Sequence, residues 1–302
     1  MTSEEGASRM QKIYKIIEKT KIWFAISLII IAIGLGTLAT RGLEYGLDFK
    51  GGTSTEISIG QAFEKADVDA IVSKYSKDYT SAKVNDTSIE IKSGSLTSEN
   101  VAAIINDVKA KYAKSSLISQ ELIGASIGAE TKSKAVQAII IACIAMLIYI
   151  GVRFEFNFGF AAIISLVHDV LIMLAVYAVF RIPVDSSFIA AMLTVIGYSI
   201  NDTIVVFDRI RENQKYIRGN DLAFLANASI TQTMARSINT VMTVLITLAA
   251  VYVFVPAIRS FSMPLLVGIA SGCYSSIFIA SPMWVILKNY SKKRKLKASK
   301  SS

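Results

Sequence analysis

Apolar residues in this chain are concentrated in six long runs that charged residues hardly interrupt. The runs cover residues 22–40, 135–152, 158–180, 186–207, 237–255 and 261–287. Each run is close to the roughly 20 residues that an α-helix needs to cross a bilayer. The pattern therefore predicts six transmembrane helices. The first is predicted to be retained, because it is longer than the roughly 7–15 apolar residues of a signal peptide.

Residues 41–134 follow a different pattern, in which charges return and apolar residues become periodic. The predicted elements are strand 54–59, helix 61–76, a pair of strands over 82–92 with a turn at 85–86, helix 97–112 and strand 116–123. This order is typical of a ferredoxin-like α+β domain. We therefore predict a multi-pass α-helical membrane protein with one such domain between its first two transmembrane helices.

Composition and charge placement support this class. The 302 residues are 53% hydrophobic, which is high for a soluble protein. The net charge of +9 comes mainly from Lys and Arg at the ends of the runs and in the tail, a distribution that positive-inside topology explains better than nucleic-acid binding. The two cysteines, Cys143 and Cys273, lie inside apolar runs, so we expect neither a disulfide framework nor a cysteine metal site.

The basic residues also predict the orientation in the membrane. They are concentrated in residues 1–21, 153–157, 208–236 and 288–302. Because cytoplasmic segments carry the excess of Lys and Arg, both termini are predicted to be cytoplasmic and residues 41–134 extracytoplasmic. Residues 208–236 are predicted to form a cytoplasmic loop, long enough for one or two surface helices, and 288–302 a disordered basic tail.

The fourth run contains the candidate site. Asn201 and Asp202 lie inside it, and helical spacing places them on one face with Tyr198 and Val205. A charged side chain at the centre of a membrane helix costs roughly 2.5–3.5 kcal/mol on insertion scales, so it usually faces a protein interior or water. Asp202 is therefore either a carboxyl that carries a proton or a structural residue hydrogen-bonded between helices.

Arg236 stands at the cytoplasmic end of the fifth run, followed along the helix by Thr240, Thr243 and Thr247. One interpretation is that Arg236 anchors the helix by extending its charge to the membrane surface. The other is that it pairs with the carboxylate on the fourth helix and changes the charge balance there.

Further polar residues have both a functional and a structural interpretation. His168, the only histidine, and Asp169 lie near the middle of the third run. They suit either a proton relay or an interhelical hydrogen bond, although a separation of about 100° around the helix predicts that they do not act together. Asp208 is predicted to form an ion pair with Arg209 or Arg211 at the cytoplasmic edge.

Two groups of glycines are interpreted as structural. Gly268 and Gly272 have the spacing that allows two membrane helices to pack closely. Segment 46–52 lies just beyond the first run and is predicted to form a turn into the first strand; its key residues are Gly46, Asp48, Phe49, Gly51 and Gly52. Neither a nucleotide motif nor a nucleophile–base pair is present, so we predict no enzyme activity and no cofactor.

Segments 46–52, 168–169, 197–212, 228–237 and 274–282 together resemble the SecD/SecF family of bacterial protein-export proteins, within the RND transporter superfamily. The resemblance implies a six-helix RND half-transporter in the plasma membrane, paired with SecD. It also implies that the proton-motive force is used to help move unfolded preproteins out of the SecYEG channel. In this family Asp202 would carry the proton and Arg236 would be a functional residue. YajC and YidC are further partners suggested by the resemblance, besides the lipid bilayer.

Two other interpretations remain at this stage. The chain is alternatively a subunit of an RND exporter of small molecules or lipids, although such exporters generally have larger extracytoplasmic domains. A third interpretation is a structural assembly factor in which Asp202 is merely buried. The sequence leaves the choice between protons and sodium ions open.

Overall fold

The computed structural model describes residues 13–217 and 221–301. Six helices in these ranges are long and apolar enough to cross a membrane, which confirms the predicted fold class. The helices that contribute to the spans are α1 (Thr20–Arg41), α5 (Ala125–Arg153), α6 (Phe156–Phe180), α7 (Ser186–Asn213), α8 (Leu222–Phe254), α9 (Arg259–Ser275) and α10 (Ser281–Ser301). The last span combines α9 and α10, with a π-helical segment, Ser276–Ala280, between them.

The small domain between α1 and α5 has the predicted strand and helix order. It contains α2 (Leu47–Lys50), β1 (Gly52–Ser58), α3 (Lys65–Val72), β2 (Tyr79–Asn85), β3 (Ser88–Ser93), α4 (Ser98–Lys111) and β4 (Ser116–Ile123). The antiparallel sheet has the order β2-β3-β1-β4, with Thr55 opposite Ile91. Ile57 and Ile89 pack with Val68 and Ile104 of the helices in a core of their own. This arrangement is the ferredoxin-like topology.

The membrane core is centred on α6, α7 and the α9–α10 span, which are more buried than α1, α5 and α8. Aromatic side chains fill one half of it: Trp284 is fully buried and stacks on Phe158 with ring centroids 5.0 Å apart. Phe207 packs on the same Phe158 ring at 5.0 Å. These contacts hold α6, α7 and α10 together next to the site described below.

Segment 46–52 joins the small domain to the membrane helices. Where the sequence predicts a turn, it forms the short helix α2. The Gly46 N–H donates to the Val184 carbonyl (2.7 Å), and the Asp48 carboxylate accepts from the Ser186 N–H (2.9 Å) at the first turn of α7. Gly52 has φ +138°, and a Cβ there would lie 2.5 Å from the Ser93 carbonyl oxygen. This position therefore requires glycine.

Two boundary predictions were wrong. Residues 208–236 are mostly not a loop, because α7 continues to Asn213 and α8 already begins at Leu222. Hydropathy marks the edge of the bilayer, whereas these helices keep a buried face beyond it, with Ile210 and Leu225 in the core. The basic tail is helical through Ser301, since Lys and Arg are good helix formers. Residues 1–12 of the predicted N-terminal segment lie outside the described residues.

Candidate functional site

Asp202 is buried in the middle of α7 and is held on one side only. Its Oδ1 accepts a hydrogen bond from the Ser237 hydroxyl of α8 (2.7 Å). Its Oδ2 is also buried and has no hydrogen-bond partner among the described residues. The neighbouring Thr203 is hydrogen-bonded to Ser276 of the π-helical segment (2.8 Å). Asp202 follows the start of α7 by roughly 24 Å at 1.5 Å per residue, which places it deep in the span.

The structure does not bring Arg236 into contact with Asp202. Arg236 is exposed, and its side chain makes no hydrogen bond or ion pair within the part of the chain that the structure describes. It nevertheless directly precedes Ser237, the residue that holds Asp202. Asn201 is exposed as well, so it lies outside the pocket of Asp202. The two residues therefore do not share one environment, as their predicted common face implied: Asp202 faces inwards, and Asn201 faces out.

Asn201 and Arg236 belong to a set of polar side chains that lie on the exposed surfaces of α7 and α8. The set comprises Thr194, Asn201, Arg236, Asn239, Thr240, Thr243 and Thr247. Polar groups inside a membrane helix normally face a protein interior or a water-filled cavity rather than lipid. In this single chain their exposure leaves them without such surroundings.

A second buried carboxyl, Asp169 of α6, has a much denser set of contacts. Its Oδ2 accepts from the hydroxyls of Ser199 (2.5 Å) and Ser275 (2.7 Å), on α7 and α9 respectively. Its Oδ1 accepts from the Ser271 hydroxyl of α9 (2.7 Å). Three helices therefore meet at this one side chain, which is fully buried.

His168 contacts the same carboxyl, so the expectation that the two residues do not act together was wrong. Its Nδ1 lies 3.1 Å from Asp169 Oδ1, and its Nε2 lies 2.9 Å from the hydroxyl of Ser27 on α1. The 100° offset separates the two Cβ directions, but the long imidazole ring spans that gap. The histidine thereby links α1 to the Asp169 cluster.

The remaining predicted residues lie at the edges of the bundle or in helix contacts. Asp208 forms the predicted ion pair with Arg211 (3.0 Å) and a second one with Arg153 (3.4 Å) near the end of α5. On α9, a Cβ at Gly268 would lie 2.4 Å from Val195 Cγ2, and one at Gly272 would lie 3.0 Å from the Cβ of Ser199. Both glycines therefore lie where α9 closely approaches α7.

Sequence reasoning missed the hydroxyl groups that hold the two carboxyls. Nothing in the sequence distinguishes these residues from ordinary small residues of membrane helices; they are Ser199, Ser237, Ser271, Ser275 and Ser276. A serine in an apolar run has either role, and nothing in its immediate sequence separates them. The available signal was the spacing of Ser271 and Ser275, which places two hydroxyls on one face of a helix.

Comparisons with known proteins agree with this architecture. Residues 103–290 match the family described as protein export membrane protein SecD/SecF, C-terminal, and residues 36–62 match the SecD/SecF GG motif. The protein translocase subunit SecF of Sebaldella termitidis is 34% identical over 286 residues, covering 92% of this chain and 93% of that protein. The SecF of Haemophilus influenzae is 38% identical over 271 residues, covering 86% of this chain and 82% of its own length.

Solved structures give the same result for the fold. The crystal structure of SecDF, a translocon-associated membrane protein from Thermus thermophilus, superposes with a TM-score of 0.81 at 31% identity. The match covers 92% of this chain and 39% of that one. A SecDF structure in a super-membrane-facing form has a TM-score of 0.74 at 29% identity, covering 98% of this chain and 42% of its own.

The bundle, its small α+β domain and these relatives define a multi-pass protein-transport protein of a bacterial membrane, with an RND-like fold. Within that class, the chain belongs to the SecD/SecF family of protein export membrane proteins. The relatives it matches over nearly their full length are protein translocase subunits named SecF.

Proposed function

We propose that this chain is the SecF-type subunit of a SecDF complex that uses the proton-motive force to assist preprotein translocation through SecYEG. The observation that carries the proposal is the half-satisfied carboxyl of Asp202, deep in the membrane bundle. Buried carboxyl oxygens are normally hydrogen-bonded, so an orphan oxygen in a span suggests a group that changes partners. A proton is the smallest partner that such an oxygen can take.

The contacts on α8 suggest how the carboxyl exchanges partners. Ser237 donates to Oδ1 and leaves Oδ2 free for a proton. Arg236 precedes Ser237 on the same helix, so a rotation of α8 would bring the guanidinium in place of the hydroxyl. A cation near a carboxyl favours its charged form, whereas a neutral hydroxyl in a buried pocket does so less. Alternation between these two partners would bind and release a proton.

We further propose that SecD covers the exposed polar side chains of α7 and α8. Asn201, Arg236 and Asn239 would otherwise face lipid, and the SecDF relatives carry a larger chain, of which this one spans about two fifths. The Lys and Arg distribution supports an orientation with both termini in the cytoplasm and the small domain outside.

Asp202→Asn tests the proposal, with Asp208→Asn as the matched control on the same helix. The amide keeps the size of the carboxyl and accepts from Ser237, but it cannot ionise. We expect Asp202→Asn to assemble with SecD at normal levels and to lose the proton-driven stimulation of export in membrane vesicles. Asp208→Asn, which removes a charge from an exposed ion pair, should keep that stimulation. Undiminished dependence of export on the proton gradient in Asp202→Asn would make Asp202 a structural residue and refute the proposal.

A further inference from the structure

We infer that Asp169 is a positioning residue for Asp202: it fixes the helices that surround the Asp202 carboxyl, through serine hydroxyls on α7 and α9. This inference rests on the proposed function, in which Asp202 carries the proton. Asp169 lies on a different helix, and no direct contact joins the two carboxyls in the described structure. Any influence of Asp169 must therefore pass through the groups it binds.

The Asp169 carboxyl uses its full capacity to accept hydrogen bonds. Three serine hydroxyls and one imidazole nitrogen lie within 3.1 Å of its two oxygens. A carboxylate offers about four acceptor positions, so each of these groups can donate to it. Hydrogen bonds to a charged acceptor are shorter and stronger than those between neutral groups. Asp169 therefore ties α7 and α9 to α6 at one depth in the bundle.

Two of the bonded serines are adjacent to the Asp202 site. Ser199 lies one helical turn before Asp202 on α7, with its hydroxyl bound to Asp169. Ser275 is the last residue of α9, and the π-helical segment starts at the next residue, Ser276. Because Ser276 is hydrogen-bonded to Thr203, beside Asp202, the bond between Ser275 and Asp169 sets where the π-helical segment meets α7.

Close packing makes this connection stiff. A Cβ at Gly272 would lie 3.0 Å from the Cβ of Ser199, so the backbones of α9 and α7 already touch where Asp169 binds both. The Ser276 hydroxyl also donates to the Gly272 carbonyl (2.8 Å). A shift of Ser199 or Ser275 is therefore passed on to the wall around Asp202, because packed interiors do not deform continuously.

The other titratable or charged groups near the two carboxyls lie on helices α6 to α9. His168 of α6 contacts Asp169 directly, and Tyr274 of α9 stacks against the His168 ring at 5.9 Å. Tyr198, Cys273 and Arg236 are the titratable or charged groups that lie near Asp202, on α7, α9 and α8. The test must therefore report on Asp202 itself, and not only on the activity of the whole complex.

The C=O stretching band of the protonated Asp202 carboxyl is such a readout. In low-pH minus high-pH infrared difference spectra of the purified complex with SecD, this band is the one that Asp202→Asn removes. The test variants are Asp169→Asn, which replaces an accepting oxygen with an amide donor, and Ser275→Ala, which removes one hydroxyl without changing the charge. Ser165→Ala is the matched control: this hydroxyl is buried on α6 one turn before Asp169 and has no hydrogen-bond partner among the described residues.

We expect Ser275→Ala to move the Asp202 band and to lower proton-driven export about tenfold, the effect of losing one hydrogen bond to a charged group. Asp169→Asn should do the same at least as strongly, because it removes the charge that all four groups bind. Ser165→Ala should leave both unchanged. If Asp169→Asn fails to assemble, Ser275→Ala decides. An Asp202 band and an export rate equal to wild type in the variant that assembles would overturn the inference. Proton-driven export that survives in Asp202→Asn would instead refute the proposed function, whatever the band does.

Discussion

The contact between α1 and α6 is the closest helix approach that a glycine permits in this bundle. A Cβ at Gly34 of α1 would lie 2.1 Å from the Cβ and 2.5 Å from the Cα of Ala175 on α6. Because one of these atoms belongs to the backbone, no side-chain rotation can relieve the clash. Gly34→Ala must therefore push the two helices apart. Two residues away on the same helix, a Cβ at Gly36 would meet nothing within 4 Å.

Comparing the stabilities of Gly34→Ala and Gly36→Ala separates the effect of helix packing from the effect of helix propensity. Both variants gain about 1 kcal/mol, because alanine is a better helix former than glycine. Only Gly34→Ala is overpacked, at a typical cost of about 1–3 kcal/mol. The propensity gain cancels in the comparison, so Gly34→Ala should be less stable than Gly36→Ala by about 1–3 kcal/mol.

Thermal unfolding of the detergent-purified complex measures this difference. At roughly 2–4 °C per kcal/mol, the melting temperature of Gly34→Ala should lie roughly 2–12 °C below that of Gly36→Ala. The hydrogen bond between Ser27 and His168 crosses the same interface two turns earlier, so Gly34→Ala should weaken that contact as well. Equal melting temperatures for the two variants would show that α1 and α6 are not in contact at Gly34, and the packing described above would be wrong.

Three further predictions concern orientation, Arg236 and the small domain. Cysteine at Ser73 should react with an impermeant thiol reagent in intact cells, and cysteine at Lys215 only after lysis; the opposite result would reverse the topology. Arg236→Lys should lose proton-driven export, because an ammonium does not replace a planar guanidinium; full activity would make Arg236 a membrane anchor. Hydrogen bonds from Lys111 and Tyr112 hold the pKa of Asp67 below its usual range, so this stabilisation is present above about pH 4 and is lost as pH falls through the lowered pKa. Lys111→Ala should raise the pKa of Asp67, as measured by NMR on the full chain; an unchanged value would exclude this ion pair.

The fold was predictable because membrane helices, strands and surface helices each have a characteristic pattern of apolar residues in the sequence. The six apolar runs are long, and the alternation around Ile89 and Ile91 differs clearly from the helical spacing around Val101 and Ile104. The end of α7 and the start of α8 could not be predicted in the same way. Membrane hydropathy ends where the lipid ends, whereas helical hydrogen bonding and burial of one face continue beyond it into the connection between α7 and α8.

The site was predictable in its ionisable residues but not in its geometry. Asp202 and Asp169 are conspicuous in apolar runs, because a carboxylate there is costly. The serines that bind them are not conspicuous, since a hydroxyl in a membrane helix is common and cheap. The sequence also did not reveal that Arg236 and Asp202 are not in contact. Whether two helices bring two particular side chains together depends on how each helix is rotated about its own axis. Neighbouring residues on a helix point about 100° apart, so a small error in rotation changes which side chains meet.

The π-helical segment corrects the winding of the last span. Gly268, Gly272, Ser276, Ala280 and Trp284 recur every four residues, and all five are buried. In a regular α-helix each four-residue step advances about 40° beyond a full turn, so four steps would carry Trp284 about 160° round from Gly268. A turn with i→i+5 bonds takes more residues and winds back part of that angle. The small residues that touch α7 and the tryptophan that stacks on Phe158 therefore lie closer to one face of the span than a regular α-helix would place them, over roughly 24 Å of its length.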